Sequence, residues 1–425
     1  MTRRLIRTVL PLAGLLLPAA AMAQTSGSDA GGAGVAVKSA GSIAHSSVYS
    51  TEDTQTLITA ARSAQTNLPM ISPGELPRAA LLQNNSLASG PLAPKPGAST
   101  GSADGVHALQ PQVAPQAYGN YSPLSIAPYT TARASAQVLG TTPNAAAVAV
   151  TSYPWRATGK LYFNIKGAPY ICTASMIKPG LLLTAAHCVF EYGTNASTGW
   201  HTNFVWVPAL YQSGASPYGS WTAVSERIPT PYYAGTDTCL TTGVSCNNDI
   251  AIIVMQPNSK KQLPGQAVGW YSYGWNGYSF TKSFGGASLA SITQLGYPKA
   301  FDGGLMMERT DGIGGYWANN ALKNTLLGTA QTGGSSGGPW LVNFGTVPSL
   351  TSDASLGNSA DAQVVVGVTS WGYTTVGQNT QGASWFGQNT QFPAASYTDS
   401  HGVNRGAGNI GKLVADACSA NYDHC

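Results

Sequence analysis

From Tyr153 onwards the sequence alternates between short apolar runs and turn-forming residues. The runs are rich in Val, Ile, Tyr, Phe and Trp, and Gly, Pro, Asn and Ser separate them, which is the pattern of β-strands joined by turns. Many short strands at regular spacing are typical of an all-β sandwich or barrel rather than of βαβ units. The predicted strands are Lys160–Ile165, Tyr170–Ile177, Leu181–Ala185, Phe204–Val207, Ile250–Met255, Ile292–Leu295, Trp340–Phe344 and Val364–Val368.

One short helix is predicted near the end of the chain, over about residues 409–420. Its apolar residues Ile410, Leu413, Val414 and Ala417 follow the spacing i, i+3, i+4, i+7 of a helix with one buried face. Asn409 stands where an N-cap residue belongs. We therefore expect a helix that starts at Asn409 and packs through one side.

The N-terminus has the pattern of an export signal over residues 1–23. Three arginines precede the apolar run Val9–Leu17, and Ala21-Met22-Ala23 supplies small residues for cleavage before Gln24. Arg3-Arg4 suggests the twin-arginine route, but we favour the general secretory route because disulfides would form after export. The predicted location is extracellular, with the periplasm as second choice. No stretch reaches the ~18 apolar residues of a membrane span.

Residues 24–134 differ in composition from the rest of the chain. They are rich in Ala, Ser, Gly and Pro, contain no Cys or Trp, and include stretches such as Gly90 to Gly105 without hydrophobic periodicity. Such a segment is either a flexible linker or a pro-segment removed on maturation. Residues 135–425 then form the folded domain.

A five-residue sequence occurs twice near the end of the chain. Gly377-Gln378-Asn379-Thr380-Gln381 is repeated as Gly387-Gln388-Asn389-Thr390-Gln391. Two copies cannot form a solenoid, which needs at least three units. We expect an elongated polar hairpin or loop at the surface, and a loop that contacts substrate is the alternative.

The charge of the chain excludes several classes of partner. Charged residues make up only 9% of the sequence, and the formal net charge is +4. Eight of the 21 Lys and Arg residues and five of the 17 Asp and Glu residues precede residue 150, so the remainder has 13 basic and 12 acidic groups and a net charge of +1. A nearly neutral surface without basic runs argues against nucleic acid or an anionic membrane as a partner. We expect a monomer.

The histidines outside the motifs described below indicate no metal or cofactor. His201 and His401 lie in polar stretches and are expected to be solvated, and no cluster has the spacing of metal ligands. The glycine-rich stretch at Gly333 follows a possible strand but leads to another strand, so it does not fit a phosphate site.

Six cysteines remain after the signal, and an even number in an exported chain predicts three disulfides. Pairing them in order along the chain is the simplest of the 15 possible connectivities. The six are Cys172, Cys188, Cys239, Cys246, Cys418 and Cys425. The last pair would fix the end of the predicted helix.

The first motif with catalytic chemistry is Leu183-Thr184-Ala185-Ala186-His187-Cys188. A strand ends at small residues and a His follows at once. His is the natural general base near neutral pH. A single His in a turn is commonly structural, but a Cys172–Cys188 disulfide would hold the backbone of His187 in place, which suits a proton-transferring group.

The second motif is Asn248-Asp249 directly before the apolar strand Ile250–Met255. A carboxylate at the edge of a core can accept the ring N–H of a His, which fixes the tautomer and stabilises the imidazolium. By itself, this motif favours the simpler interpretation of Asp249 as a turn residue at the entry to a strand.

The third motif runs from Gly333 to Trp340 (GGSSGGPW). Glycines on both sides of Ser335-Ser336 allow a sharp turn that exposes the Ser336 hydroxyl. The same turn can aim the N–H groups of Gly334 and Ser336 at one point, as needed to hold the oxyanion of a tetrahedral intermediate. A Gly/Ser linker would not normally lead straight into the apolar strand that begins at Trp340.

The order His187, Asp249, Ser336 is that of chymotrypsin-type proteases and differs from the subtilisin and α/β-hydrolase orders. Residues from about 150 to 425 resemble the trypsin/chymotrypsin-like serine endopeptidases. They are most similar to the bacterial glutamyl-endopeptidase-like branch, through Gly296-Tyr297-Pro298 and the sequence from Thr332 to Gly337.

The resemblance implies two antiparallel Greek-key β-barrels, the first over about 150–262 and the second over about 263–405, with the active site in the cleft between them. His187 and Asp249 would come from the first barrel and Ser336 from the second. Ser336 would attack the scissile carbonyl of a protein or peptide, His187 would move the proton, and Asp249 would orient His187.

The resemblance also indicates residues that bind substrate. Thr369-Ser370-Trp371-Gly372 matches the strand that forms one wall of the specificity pocket in the family and pairs with the substrate backbone. Ser370, Trp371 and Gly372 are therefore substrate-binding candidates, and Trp371 is equally well explained as a core residue.

Two departures from the family pattern bear on specificity and activation. Ala330 and Gln331 occupy the floor of the pocket, where no acid is present, and Thr369 and Ser370 occupy the place of the His used for glutamate. We expect a small or uncharged side chain at the cleaved position. Ser335 replaces the Asp that pairs with a new N-terminal ammonium in animal relatives, so activation would proceed by release of the pro-segment.

Two other classes of function are weighed against a protease. A catalytically silent relative that binds proteins or cell-wall material would have no need for all three triad residues. A secreted esterase or lipase would place its nucleophile first in the chain and alternate strands with helices, and the sequence does neither.

Overall fold

The computed structural model describes residues 34–39, 63–71, 128–134, 138–139, 147–211, 217–282, 288–319, 322–345, 361–373 and 379–425. The predicted signal peptide, the stretch Gly90 to Gly105 and the start of the first repeat copy lie outside the described residues. Among the described residues, no helix is both long enough and apolar enough to cross a membrane.

The N-terminal third contributes strands to the fold, which its composition does not indicate. Its strands are β1 (Val35–Ser39), β2 (Met70–Ile71), β3 (Tyr129–Arg133), β4 (Val138–Leu139) and β5 (Ala147–Val148). The first three add to sheets formed by later residues, whereas β4 and β5 pair with each other. The described parts of this segment, β1 to β3, are therefore packed on the domain.

Six antiparallel strands close into a first barrel. They are β6 (Thr158–Ile165), β7 (Ala168–Lys178), β8 (Leu181–Thr184), β9 (Thr202–Pro208), β10 (Trp221–Pro229) and β11 (Ala251–Met255). Around the barrel the order is β6, β7, β8, β11, β10, β9, and β9 returns to β6. Because β8 lies beside β11 rather than β9, the topology is a Greek key. β1 pairs with β10 at Val35 to Pro229.

A second sheet closes in the same way. Its strands are β12 (Ser272–Tyr273), β13 (Thr281–Lys282), β14 (Ser288–Gly296), β15 (Glu308–Asn319), β16 (Leu322–Gly328), β17 (Pro339–Val342), β18 (Val364–Tyr373) and β19 (Thr380–Trp385). The closed circuit is β14, β15, β16, β19, β18, β17, with β17 back on β14. This is the order of the first barrel, strand for strand. The predicted pair of antiparallel Greek-key barrels is confirmed.

The helices are short. They are α1 (Thr230–Ala234), α2 (Pro264–Val268) and α3 (Gly408–Ala420). The predicted C-terminal helix is confirmed, and its apolar face is buried against the first barrel although it follows the second in sequence. Arg227 Nε donates to Asp416 Oδ2 at 3.0 Å, and the N–H of Gly180 donates to the carbonyl of His424 at 2.8 Å.

The predicted cap of this helix is wrong. Ala407 is the residue before the first turn, and Asn409 lies inside the helix. The Asn409 side chain is fully buried, where it donates to the carbonyl of Trp385 at 3.2 Å and accepts from the N–H of Gly387 at 3.1 Å. Asn409 thus ties the helix to the end of β19, because a buried amide must find partners.

The disulfides follow the chain order. Cys172 pairs with Cys188, Cys239 with Cys246, and Cys418 with Cys425, so the simplest connectivity is confirmed. The first disulfide joins β7 to the turn after β8 and the third closes the residues after α3.

Candidate active site

His187 lies at the end of the strand that the motif predicts. β8 ends at Thr184, and Ala186–Cys188 then form one turn of 3₁₀ helix. The Cys172–Cys188 disulfide ties this turn to β7. The side chain of His187 is only 6% exposed, so its rotamer is fixed by the surrounding residues.

Asp249 lies two residues before β11 and holds His187 from two sides. Its Oδ2 lies 2.8 Å from Nδ1 of His187, and its Oδ1 accepts the backbone N–H of His187 at 2.8 Å. Ser370 Oγ donates to Oδ2 at 2.6 Å, and the N–H of Asp249 donates to Ser384 Oγ at 3.1 Å. With its oxygens occupied in this way, the carboxylate can fix the ring so that Nε2 is the free nitrogen.

Ser336 lies in the turn between β16 and β17, against the first barrel. The carbonyl of Ser336 accepts the N–H of Thr173 in β7 at 2.7 Å. The next residue, Gly337, has φ +75°, and a side chain there would overlap Thr184 Oγ1 and lie 2.9 Å from the nitrogen of Ala185. Only glycine fits this contact, which brings Ser336 beside the turn that carries His187.

The two atoms that would react in Ser336 and His187 are without hydrogen-bond partners. Ser336 Oγ and His187 Nε2 are both buried, and neither makes a hydrogen bond with any described residue. Unpaired buried polar atoms are costly and rare in folded proteins. Here they are the hydroxyl and the ring nitrogen that proton transfer from Ser336 to His187 would use. His187 is bonded to Asp249, and the contact of Gly337 with Thr184 and Ala185 places the Ser336 turn against the turn that carries His187.

The backbone before Ser336 has the shape expected of an oxyanion hole. Gly334 has φ +103°, and a Cβ there would lie 2.5 Å from the carbonyl of Tyr297. Thr173 Oγ1 donates to the carbonyl of Gly334 at 2.9 Å, which fixes the peptide plane that follows. Within the described residues, the N–H groups of Gly334 and Ser336 donate to no backbone acceptor, so both are available to a ligand.

The matching strand order of the barrels and the placement of this group at their junction decide the architecture. The chain has the chymotrypsin-like protease fold. The resemblance that the three motifs carry is confirmed at this level.

Comparison with known proteins gives partial matches. The sequence matches no model of a known protein family. It is 28% identical over 211 residues to an extracellular metalloprotease of Bacillus subtilis (strain 168), and this alignment covers 49% of the chain and 58% of that protein. The chain thus spans 58% of the length of this curated relative.

Three solved protease structures are similar to the chain. The protease Anisep from Arthrobacter nicotinovorans is 26% identical, with 56% of this chain and 92% of that chain covered and a TM-score of 0.41. The thermostable serine protease AL20 from an extremophilic microorganism is 21% identical, with 55% and 92% covered and a TM-score of 0.42. A Glu endopeptidase is 18% identical, with 64% and 94% covered and a TM-score of 0.39.

The residues that the resemblance assigns to substrate binding have different environments. The hydroxyl of Ser370 is bonded to Asp249, so its side chain supports the catalytic group. Trp371 is fully buried and donates from Nε1 to Asn324 Oδ1 at 2.7 Å, so its ring is part of the core. Gly372 has no side chain and makes its contact through the backbone, where its N–H donates to the carbonyl of Pro69 at 2.9 Å.

The two predicted floor residues lie at the start of the turn that carries Ser336. The N–H of Ala330 donates to Thr131 Oγ1 of β3 at 3.1 Å. Gln331 is 4% exposed, and its Nε2 lies 3.4 Å from the carbonyls of Gln294 and Glu308. Its Oε1 is buried without a partner among the described residues. The floor is therefore neutral and built of amides and hydroxyls.

The prediction that the repeated sequence is surface decoration is wrong for Gln381 and Asn389, whereas Thr390 is exposed. Gln381 of the first copy is buried in β19, and its Nε2 donates to Ser335 Oγ at 3.1 Å. Asn389 of the second copy donates from Nδ2 to Asn248 Oδ1 at 2.7 Å. The copies therefore support the residues beside Ser336 and beside Asp249. Their polar composition conceals this role, because buried amides bonded to each other look like solvated ones in a sequence.

Asp237 is a buried acid beside the candidate site that the sequence does not reveal. Its Oδ2 accepts the N–H of Asn248 at 2.8 Å and its Oδ1 accepts from Asn248 Nδ2 at 2.7 Å. Burial raises the pKa of Asp237 to about 7, and the nearby charge of Asp249 acts in the same direction. Below about pH 7 this carboxyl is mostly neutral, so it can lie close behind Asp249 without repelling it.

His201 also differs from expectation. It is 4% exposed and stacks on Phe163 with ring centroids 5.4 Å apart. Burial lowers its pKa to about 4, so it is neutral in most conditions. The polar neighbours of His201 in the sequence suggest a solvated residue, whereas the strand pattern around Phe204 suggests a buried one. His401 is exposed, as expected.

Two groups of side chains in the described residues have the proximity of metal ligands, but their chemistry does not suit a metal. One is Cys172, His187 and Cys188, and the other is Asp237, Cys239 and Cys246. In both groups the two cysteines are joined in a disulfide. Because a metal needs the thiolate form, neither group offers more than one ordinary ligand.

Proposed function

We propose that the protein is a secreted serine endopeptidase that cleaves proteins or peptides through an acyl-enzyme. The single observation that supports this most strongly is the unpartnered pair, Ser336 Oγ and His187 Nε2, beside a His187–Asp249 hydrogen bond of 2.8 Å. The relatives reported above are proteases by name, which supports the same class of reaction.

Acylation begins when His187 Nε2 takes the proton of Ser336 and Oγ attacks the scissile carbonyl. The imidazolium that forms is stabilised by Asp249, which keeps its own charge. The oxyanion of the tetrahedral intermediate is held by the N–H groups of Gly334 and Ser336, and loss of one such donor costs ~10²–10³ in turnover. His187 then gives the proton to the leaving amine.

Deacylation repeats these steps with water as the nucleophile. His187 takes a proton from water, the hydroxide attacks the ester of Ser336, and the proton returns to Oγ as the acid leaves. Ser370 supports both halves, because its hydrogen bond to Asp249 keeps the carboxylate in place.

The neutral floor at Ala330 and Gln331 supports a preference for a small or uncharged side chain at the cleaved position. A buried amide without a fixed charge gives no compensation for the desolvation of Lys, Arg or Glu. Profiling with a peptide library tests this, and a strong preference for Arg, Lys or Glu would refute it.

The assignment as a serine enzyme is tested with a fluorophosphonate probe on secreted protein, alongside the Ser336→Ala variant. We expect labelling of Ser336 and casein hydrolysis in the natural protein and neither in the variant. Protein that binds a partner but never labels would support the silent binding module instead.

A chelator distinguishes this proposal from the chemistry named for the Bacillus relative. The two candidate ligand groups consist largely of disulfide sulfur, so treatment with EDTA should leave casein hydrolysis intact. Loss of activity that added zinc restores would contradict the serine mechanism.

The domain division is part of the proposal: a signal peptide at residues 1–23, a pro-segment at 24–134 and the protease domain at 135–425.

Activation does not depend on a charged N-terminus in this proposal. Ser335 cannot form an ion pair with a new N-terminus, and its Oγ donates to the carbonyl of Thr332 at 2.8 Å. Blocking the N-terminus of the mature protein should leave activity intact, and complete loss would argue for a charge switch.

A further inference from the structure

The described stretch Ser63–Ile71, which we call the strap, crosses from the first barrel to the second. Its first contact is with β7: the N–H of Gln65 donates to the carbonyl of Pro169 at 2.9 Å, and the carbonyl of Gln65 accepts the N–H of Ile171 at 3.0 Å. Tyr170 Oη also donates to Gln65 Oε1 at 3.0 Å. Ile171 immediately precedes the cysteine that is bonded to Cys188, next to His187.

The middle of the strap lies over the catalytic group. Asn67 Nδ2 donates to the carbonyl of His187 at 2.5 Å. Thr66 packs against Gly333 so closely that a side chain on Gly333 would overlap its hydroxyl. Lys299 Nζ donates to the carbonyl of Ala64. The strap therefore contacts the backbone of His187 and the start of the oxyanion turn through two consecutive residues, Thr66 and Asn67.

The far end of the strap occupies β18, the strand assigned to substrate. The N–H of Gly372 donates to the carbonyl of Pro69 at 2.9 Å. Met70 and Ile71 pair with Gly372 and Tyr373 as a parallel strand. A Cβ on Gly372 would lie 3.2 Å from Leu68, so the two chains are in close contact.

The strap runs against the direction that the proposed mechanism requires of a substrate. His187 protonates the leaving amine, so the C-terminal half of a substrate leaves over the first barrel and the N-terminal, acyl half lies along β18. In the strap, the N-terminal Gln65 lies on the first barrel and the C-terminal Met70 lies on β18. In a chain that runs in this direction, the amide nitrogen lies on the far side of each carbonyl from His187. His187 therefore could not give a proton to the leaving nitrogen after Ser336 attacked the carbonyl.

We propose that the strap is an intramolecular inhibitor that fills the substrate cleft in reverse, so that it blocks the site without being cleaved there. This inference rests on the proposed function. It accounts for a nucleophile with no exposed surface: Ser336 is fully buried although it must meet a substrate. It also identifies the part of the N-terminal third that must leave the cleft for activation, whereas β1 and β3 pair with β10 and β15.

The first test compares rates of fluorophosphonate labelling in the full chain. The double variant Gln65→Pro/Asn67→Ala removes the donors to Pro169 and His187. The control Lys38→Ala removes a similar contact outside the cleft, the 2.6 Å hydrogen bond from Lys38 Nζ to the carbonyl of His201.

We expect the double variant to label at Ser336 about tenfold faster or more, since each lost hydrogen bond shifts the equilibrium between covered and open cleft several-fold. The control should label as slowly as the natural chain. Equal labelling of all three at Ser336 overturns the inhibitor while leaving the serine mechanism intact. No labelling of any of them, even after added protease removes the N-terminal third, overturns the proposed function itself.

The second test measures direction and needs no activity. In a Ser336→Ala background, Gln65→Cys/Tyr170→Cys should form a disulfide, because these residues are bridge partners. Met70→Cys/Tyr170→Cys should not, although a strap in the substrate direction would bring Met70 to β7. Peptide mapping reads out both. Crosslinking of the second pair, or of neither, overturns the reversed strap.

Discussion

The two barrels share one strand order but differ in what fills them. In the first, Leu181 to Leu183 of β8 and Ala251–Met255 of β11 are fully buried hydrocarbon. In the second, the interior beside the active site holds a network of amides and hydroxyls. Gln294 Nε2 donates to Gln381 Oε1 at 2.6 Å and to Thr369 Oγ1 at 2.9 Å, and Gln381 Nε2 donates to the carbonyl of Gln331 at 3.0 Å.

This difference matches the tasks of the two halves. The first barrel must hold His187 and Asp249 at one distance, and non-directional packing of strands achieves this. The second must hold a sharp turn at Ser336 next to a pocket, where directional hydrogen bonds fix the backbone one group at a time. The first barrel should therefore respond to lost volume and the second to lost hydrogen bonds.

The largest effect is expected where the halves meet. Asp249→Asn removes an acceptor that His187 Nδ1 and Ser370 share, so the ring takes the wrong tautomer and turnover should fall ~10⁴-fold. The measurement is kcat on a peptide substrate. Asp361→Asn, an exposed acid that accepts from Tyr278 Oη, is the control and should leave kcat unchanged. A fall of less than about tenfold would contradict the role of Asp249.

The next effect tests hydrocarbon packing in the first barrel. Leu182 is fully buried between Met176 and Ile253. Leu182→Ala should lower the free energy of unfolding by about 2–5 kcal/mol through lost transfer energy and a cavity. Urea unfolding measures this, with Ile313→Ala, 40% exposed on β15, as a control expected to change stability by less than about 0.5 kcal/mol. Equal losses would mean that the first barrel is not closely packed.

A smaller effect tests the polar network of the second barrel. Gln381→Leu keeps the volume but leaves the carbonyl of Gln331 without this donor, which should cost about 1–3 kcal/mol and lower kcat by displacing Ser335. The control is Gln388→Leu in the second repeat copy, whose contacts are exposed and which water can replace. If both variants behave alike in urea unfolding and in kcat, the network does not hold the turn.

The smallest effect concerns an acid buried in the first barrel. Burial raises the pKa of Glu226 from 4.5 to about 7, and the Lys38 ammonium opposes this in part. Because the folded state binds the proton more tightly, the stabilising contribution is complete below pH 4.5 and is lost as the pH rises towards 7. In Glu226→Gln, the free energy of unfolding should change less with pH over this window. Unfolding measured at a series of pH values tests this.

Lys38→Ala sharpens the same test. Without the ammonium that favours the charged carboxylate, the loss of stability should extend to higher pH. An unchanged pH profile in both variants would show that Glu226 does not titrate in this window.

The sequence reveals the three candidate catalytic residues because their motifs are local. His187, Asp249 and Ser336 each stand beside a strand or a glycine turn, and each short disulfide loop pairs neighbours along the chain. β1 and β3 escape prediction because five residues of mixed Ala, Thr and Val carry little periodicity, and their partners are far away in sequence. Asn409 and Gln381 escape because burial of an amide depends on which distant amide faces it.

The distance along the chain between the strap and β18 has a consequence for biosynthesis. Met70 pairs with Gly372. The strap therefore emerges early from the ribosome and cannot pair with β18 until some three hundred more residues have been translated. The strand that completes the substrate wall is also the one on which the strap closes. For the proposed inhibitor this means that the cleft is covered in the same folding event that completes its wall.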